Sequence, residues 1–278
     1  MTETDSQSYA DVTISLKLST ASMAKDSASH IADIADVALF RIERGCEIQV
    51  QPAPGARQED VRQFLYGVAL TAILYQRGES PIHAGAVEVG GQAHMFCGAS
   101  GAGKSTLMMQ MRHRGVNVLC DDVGVIRQGA DNIVRFYHGV PRVKLWRDAL
   151  AHFDIDIWPL QRDLARHDKF HLPLANTAFD SLPLASIFNL VPGPTVDAPM
   201  IVAISSKDAF GIVMRNTYRP RLLKQLGDSA SHAMRCVAAV RQAAGFEFRR
   251  PWDLDRLDAG AEALVSHLTA LTTMETIT

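Results

Sequence analysis

The sequence predicts an α/β fold, a mixed sheet with flanking helices, on three observations. Apolar residues make up 47 % of the 278 and charged residues 21 %, an ordinary globular balance that excludes a disordered tail, a collagen-like chain and a bare coiled coil. Short alternating apolar segments recur between glycine and proline breakers. Finally, a strand, a glycine-rich loop, a helix and a second strand succeed one another within about forty residues. At roughly 150 residues per domain the chain allows one large domain or two modest ones. The change of pattern near residue 80 divides it into an N-terminal α+β segment, 1–80, packed on a larger domain, 81–278.

The elements are read in order. Residues 1–10 are polar. Alternation in Val12–Leu16 reads as a strand, with Val37–Ile42 and Glu47–Val50 as two more. The alanine- and serine-rich stretch Met23–Ala35 between them carries no clear period. After the breaker Pro52-Ala-Pro-Gly55, Asp60 is placed to cap a helix. In that helix Val61, Phe64, Leu65, Val68, Ala69, Ala72 and Ile73 recur at helical spacing, and it should end near Gly78. Ile82–Val89 and Gln92–Cys97 flank Gly90-Gly91, a hairpin signal. A helix over Thr106–His113 closes at Gly115, and Val116–Cys120 is a buried strand leading into Asp121-Asp122. Val123–Arg127 and Ile133–Tyr137 form a further hairpin. Trp146–Phe153 reads as helix and Asp154–Asp168 as irregular. Leu184–Val191 and Met200–Ile204 read as strands, separated by the loop Pro192–Pro199. Ser206–Arg215 and Pro220–Ala244 read as helices, Phe246–Arg249 as a last strand and Leu254–Leu271 as a last helix.

Composition removes several function classes. Lys and Arg total 28 against 30 Asp and Glu, a net charge of −2, so no global basic field exists to hold nucleic acid. The longest mostly apolar run, Tyr66–Tyr75, is ten residues, about half of a bilayer span. Four scattered cysteines without a CxxC pair, and an acidic N-terminus unlike a secretory signal, predict a cytoplasmic protein with reduced thiols. Only seven of the 28 basic residues are lysines, so a lysine at a structured position is informative.

Gly98-Ala99-Ser100-Gly101-Ala102-Gly103-Lys104-Ser105 fits GxxxxGK[ST] at every fixed position, after a predicted strand and opening a predicted helix. Glycines let backbone N–H groups turn inward around phosphate oxygens, and the helix N-terminus adds unpaired donors and a positive dipole end. Lys104 can place its ammonium on the β and γ phosphates, and the Ser105 hydroxyl can ligate Mg²⁺. The plainer alternative is a glycine-rich turn with an incidental lysine. Asp121-Asp122 follows at the end of an apolar strand. There one carboxylate can hold a metal while the other takes a proton from an attacking hydroxyl, and like charges push one pKa upward. The alternative is a solvated turn, where Asp is common. Three weaker features remain. Arg142 and Lys144 could face a phosphate or an acidic peptide, or simply be solvated beside Trp146. Lys169 could reach a transferring phosphoryl group. His167 and His171 have i,i+4 spacing, but with no third ligand evident zinc is not predicted. Arg249-Arg250 before Pro251-Trp252 reads as a surface or helix-cap feature.

The ordering His83…Gly98-x-x-Gly101-x-Gly103-Lys104-Ser105…Asp121-Asp122 resembles the HPr kinase/phosphorylase family, with 21 residues from His83 to Lys104 and 17 from Lys104 to Asp121. The resemblance covers Pro81–Ile126 and fades on either side. It implies a serine kinase on a P-loop core of the HPr-kinase and phosphoenolpyruvate-carboxykinase-like type. By that resemblance the loop residues Gly98–Ser105 with Thr106 bind ATP, or GTP, with Mg²⁺ on Ser105 and Asp122. Asp121 is then the base and His83 its tuning neighbour, although the two aspartates could exchange roles. Thr106 stands where HPr kinases carry an acidic residue, and their C-terminal signature is missing. Pro81–Val87, Val140–Trp146 and Arg250-Pro-Trp-Asp253 look more like the smaller HPr-kinase-related proteins, some of which phosphorylate the C-terminal serine of lasso-peptide precursors. The implied partner is therefore a serine-bearing peptide or small protein, with HPr as the alternative; the sequence is silent on oligomeric state, and the hexamers of HPr kinases leave a homo-oligomer open. A P-loop NTPase or nucleotide-binding regulator without a serine acceptor is the competing reading.

Overall fold

The computed structural model describes residues 12–16, 29–164, 166–174, 180–193 and 196–275. The chain forms two compact units, residues 1–78 with 221–228, and residues 79–220 with 229–278. The first unit holds strands β1 (Thr13–Ser15), β2 (Ser29–Ile34), β3 (Ala38–Glu43) and β4 (Glu47–Pro52) in the order β1-β4-β3-β2. Phe40 faces Val50 and Ile42 faces Ile48 across β3 and β4, and all four side chains are buried, giving the sheet one apolar face. Strand β2 falls in the alanine- and serine-rich stretch that showed no period. The helical run begins as α1 (Gln58–Phe64), widens to a π-helical turn over Leu65–Ala69 and continues as α2 (Leu70–Gln76). Asp60 does not cap it. Arg57 occupies the N-cap without a side-chain bond, and Asp60 lies in the first turn, where its charge complements the helix dipole. Gly78 ends the run at φ +73°.

The second unit opens with β5 (Ser80–Ile82), β6 (Gly85–Val89) and β7 (Gln92–Cys97). The single strand expected over Ile82–Val89 is thus broken at His83-Ala84. Ile82 pairs with β9 and Gly85 onward with β7, so the chain changes neighbours at the histidine. There follow α3 (Lys104–His113), β8 (Asn117–Cys120), β9 (Gly124–Gln128), β10 (Val134–His138), β11 (Arg142–Trp146), α4 (Arg147–His152), β12 (Gln161–Arg162), β13 (Lys169–Pro173), β14 (Ser181–Gly193), β15 (Met200–Ala203) and α5 (Ser206–Arg215). Helix α6 (Pro220–Leu226) belongs almost wholly to the first unit, where Leu222 and Leu223 bury Tyr75. α7 (Ser229–Gln242), β16 (Ala244–Pro251) and α8 (Leu257–Glu275) complete the chain. The one helix expected over Pro220–Ala244 is therefore two, separated at Gly227-Asp228. A Cβ on Gly227 would crowd Leu223 and Tyr75.

Strand β14 organises a mixed nine-stranded sheet. Its first residues pair antiparallel with β10, and its later ones run parallel between β7 and β16. The register against β7 shifts between Leu184 and Ser186. That bulge turns Leu184 and Ile187 to the same face despite their odd separation, and both join the core under α5 and α7. On the opposite face Phe96, Phe188 and Phe246 stack across β7, β14 and β16 with centroids 4.9 and 5.0 Å apart, within the core that α3 and α8 share. Helices cover both faces, so the central strands are buried on two sides. A separate three-stranded sheet has the order β11-β13-β12. Trp146 ends β11 rather than starting a helix, because it pairs with Lys169 of β13. Among the described residues no helix is long and apolar enough to cross a membrane.

Candidate active site

The glycine-rich loop joins the end of β7 to the start of α3. Gly101 and Gly103 take φ values of +85° and +78°, backbone that L side chains rarely adopt. Gly98, at φ +153°, approaches the Leu190 carbonyl of β14 so closely that a Cβ would stand 3.2 Å from it. Its N–H donates to Asn216 Oδ1 at 3.4 Å. Lys104, the first residue of α3, is buried and folds back over the loop, donating from Nζ to the Gly98 carbonyl at 2.7 Å and the Ala99 carbonyl at 3.3 Å. Burial lowers its pKa, opposed chiefly by the charge of Asp121. From the three-stranded sheet side, Arg166 donates to Ser100 Oγ at 3.4 Å.

Asp121 and Asp122 follow β8. Asp121 is only 3 % exposed. Its Oδ2 accepts the Lys144 backbone N–H at 3.0 Å, while Oδ1 is buried with no hydrogen-bond partner. Burial raises its pKa, moderated by the Lys144 N–H and the Ser105 hydroxyl. Asp122 differs. Burial works in the same direction, but His83 and Lys144 outweigh it and hold the carboxyl far below the usual range. Lys144 Nζ stands 2.7 Å from Asp122 Oδ2, and His83 Nδ1 lies 2.7 Å from the Asp122 carbonyl and 3.4 Å from Oδ1. His83 therefore contacts Asp122 and not Asp121; the sequence reading set it beside the base, with the two aspartates able to exchange roles. The strand break that frees it from β5 and β6 puts it there.

Pairing in the three-stranded sheet carries the other cations inward. Lys144 lies opposite His171, and its ammonium is also 4.0 Å from Asp163 Oδ2. His171 Nε2 is 3.2 Å from the same oxygen, and Arg142 donates to His171 Nδ1 at 3.3 Å. That bond fixes His171 as a neutral ring with its proton on Nε2, consistent with a pKa lowered by burial. Lys169 is also lowered by burial and feels both aspartates, Asp121 first. Three of the seven lysines thus serve one site. A cleft of about 420 Å³ opens next to the chain of ions, with Arg142 and His171 on its wall beside Pro141, Pro159, Leu160 and Pro173. Period-two spacing of Arg142, Lys144 and Trp146 was the available signal for this sheet. Asp163, Arg166 and Asn216 gave none, since each meets the site through a non-local contact. Arg250, expected at the surface, is 5 % exposed and packs against Gly103.

The site suits a small hard cation. The Ser105 hydroxyl, the ionised Asp122 carboxylate and the unpartnered Asp121 Oδ1 are hard oxygen donors of the kind Mg²⁺ takes together with phosphate oxygens. Among the described residues no group of three or more His, Cys, Asp and Glu side chains converges as a metal site, so a cation here would depend on ligand oxygens as well.

No family model matches the chain, and no curated protein matches its sequence. Among solved structures it is similar to the HPr(Ser) kinase/phosphatase from Coxiella burnetii, at 12 % identity and a TM-score of 0.36, over 71 % of this chain and 99 % of that one.

Proposed function

We propose that the protein is a Mg²⁺-dependent kinase that moves the γ-phosphoryl group of ATP to a serine hydroxyl. The observation that carries this is the pair of adjacent aspartates, their proton affinities driven apart, beside a lysine folded over a glycine-rich phosphate loop. Carboxyls separated in this way mark an acid–base assignment. Asp121, its proton affinity raised by burial and its Oδ1 unengaged, is the base. Asp122, held ionised, is the metal partner with Ser105. Magnesium would supply charge neutralisation across the β and γ phosphates.

The chain's own residues act as follows. Lys104 leaves the Gly98 and Ala99 carbonyls for the phosphates, and the loop N–H groups hold the β-phosphate oxygens. Asp121 accepts the serine proton as the serine oxygen bonds to the γ-phosphorus. The bond from that phosphorus to the β,γ-bridging oxygen breaks, and ADP leaves. His83 and Lys144 keep Asp122 ionised and fixed while this happens. The cleft beside Arg142 and His171 is the place we assign to residues flanking the acceptor.

For the acceptor we favour the C-terminal serine of a lasso-peptide precursor, from the resemblance of residues 81–87, 140–146 and 250–253 to the smaller HPr-kinase-related proteins. The setting that fits is cytoplasmic, with peptide and not nucleic acid as partner and a homo-oligomer as the assembly. A mass-spectrometric assay with ATP, Mg²⁺, HPr and a precursor peptide ending in serine tests it. A single phosphoryl shift on the peptide, absent with Asp121→Asn although that variant still binds ATP, supports the reading. A shift on HPr alone moves the acceptor to HPr. Hydrolysis of ATP with neither acceptor modified makes the protein an NTPase.

A further inference from the structure

The end of β16 carries two residues that the reaction above does not use. Arg250 is buried, its Nε has no hydrogen-bond partner, and no carboxylate among the described residues pairs with it. A buried guanidinium without a counter-ion is costly, so its position is informative. It donates to the Ala102 carbonyl at 3.4 Å and the Pro251 carbonyl at 3.1 Å, and a Cβ on Gly103 would overlap its Nη2. It therefore lies against the phosphate loop, with the anion of a bound nucleotide as its nearest prospective counter-charge. Beside it stands Trp252, 57 % exposed, with the Arg250 guanidinium 5.7 Å from its ring centroid. Its Cζ3 would be 3.8 Å from a Cβ on Gly103.

Single exposed aromatics are ordinary on protein surfaces. Trp252 differs in being fixed against a phosphate loop by a buried cation, at the carboxyl end of a parallel strand. β7, β14 and β16 run in the same direction. The loop leaves the end of β7, and Trp252 follows the end of β16, two strands along. Ligands of open α/β sheets lie in the crevice outside those strand ends. An indole there offers a π-face to a planar base, and Arg250 braces the ring and the loop together.

We propose that Arg250 and Trp252 form a nucleobase subsite, in which the Trp252 ring stacks on the base of the nucleotide whose phosphates occupy the Gly98–Ser105 loop. This rests on the nucleotide-binding part of the proposed function and adds where the nucleoside lies. Calorimetric titration with Mg²⁺ and either ATP, GTP or inorganic tripolyphosphate separates the two ends of the ligand. Base–aromatic stacking supports about a tenfold or larger loss in ATP and GTP affinity for Trp252→Ala. Tripolyphosphate affinity should stay within about twofold, which also shows that the variant is folded, and Trp252→Phe should retain most of the ATP affinity. Unchanged ATP affinity in Trp252→Ala, or a parallel loss for tripolyphosphate, overturns the subsite. So does a wild-type protein that binds ATP no more tightly than tripolyphosphate. Failure of serine transfer while the Trp252 dependence stands overturns the kinase reading and leaves the subsite.

Discussion

Burial by itself would make both Asp121 and Asp122 hold protons more tightly, and the partners around each decide how far that goes. Asp121 keeps the raised value because backbone and hydroxyl donors only partly offset its burial. A carboxyl raised in the folded state contributes stability below the unfolded pKa, and that contribution is lost as pH rises through the folded value. Asp121→Asn should therefore raise Tm at pH 8 by a few degrees, with the gain shrinking toward pH 4, as calorimetry across that range would show. The same upward shift predicts that kcat/KM, which reports the free protein's groups, falls on the acid side at a pH above the ordinary carboxylate range. Asp122 has the opposite sign, since its contribution is present above the unfolded pKa and lost as pH falls toward the depressed folded value. Lys144→Met removes its closest cation. At pH 7 denaturant unfolding should register a loss of about 1–3 kcal/mol, less than for a fully buried pair because both side chains keep some solvent. The loss should fade in acid.

At the scale of elements, the loop between β7 and α3 was legible because its constraints are local. Gly103 needs both its positive φ and the space that Arg250 fills. Gly103→Ala should abolish ATP binding and cost at least about 1–2 kcal/mol in stability, read by calorimetry and urea unfolding. The β6–β7 hairpin, the β9–β10 hairpin and α5 were equally readable, each from a turn signal or a helical period within a short window. The three-stranded sheet was not. Trp146 pairs with Lys169 and Arg142 with Pro173 across a long connection, and no window in the sequence holds both partners. The site inherited that blindness. Lys104, Asp121 and Asp122 could be placed from spacing, but the ion chain from Lys144 through Asp163 to His171 and Arg142 exists only once β11 and β13 meet. Arg250 looked solvent-facing because it forms a basic pair with Arg249, whereas β16 turns it inward against the loop. The phenylalanine ladder is the element-scale test of packing: Phe188→Ala, between two stacked rings, should cost about 3–5 kcal/mol.

Across the whole molecule the thiols report how dense the interior is. Burial pushes the pKa of Cys97, Cys120 and Cys236 up to about 12, while Cys46 retains partial exposure. Ellman's reagent at pH 8 should label one thiol quickly in the folded protein and all four in guanidinium, because thiolate and access are both required. Strand β14 sets a different kind of limit. It supplies the partner for β7 more than eighty residues after β7 is made, and its other parallel neighbour, β16, arrives only near the end of the chain. On a ribosome extending at about 5–20 residues per second, the edge of β7 waits about 5–20 s for its partner strand. During that interval an apolar strand with free backbone donors is open to neighbouring nascent chains. The strand that leads into the glycine-rich loop is thus open to misassembly during synthesis, and folding helpers that shield strand edges should raise the yield of this protein more than slower heating or added nucleotide.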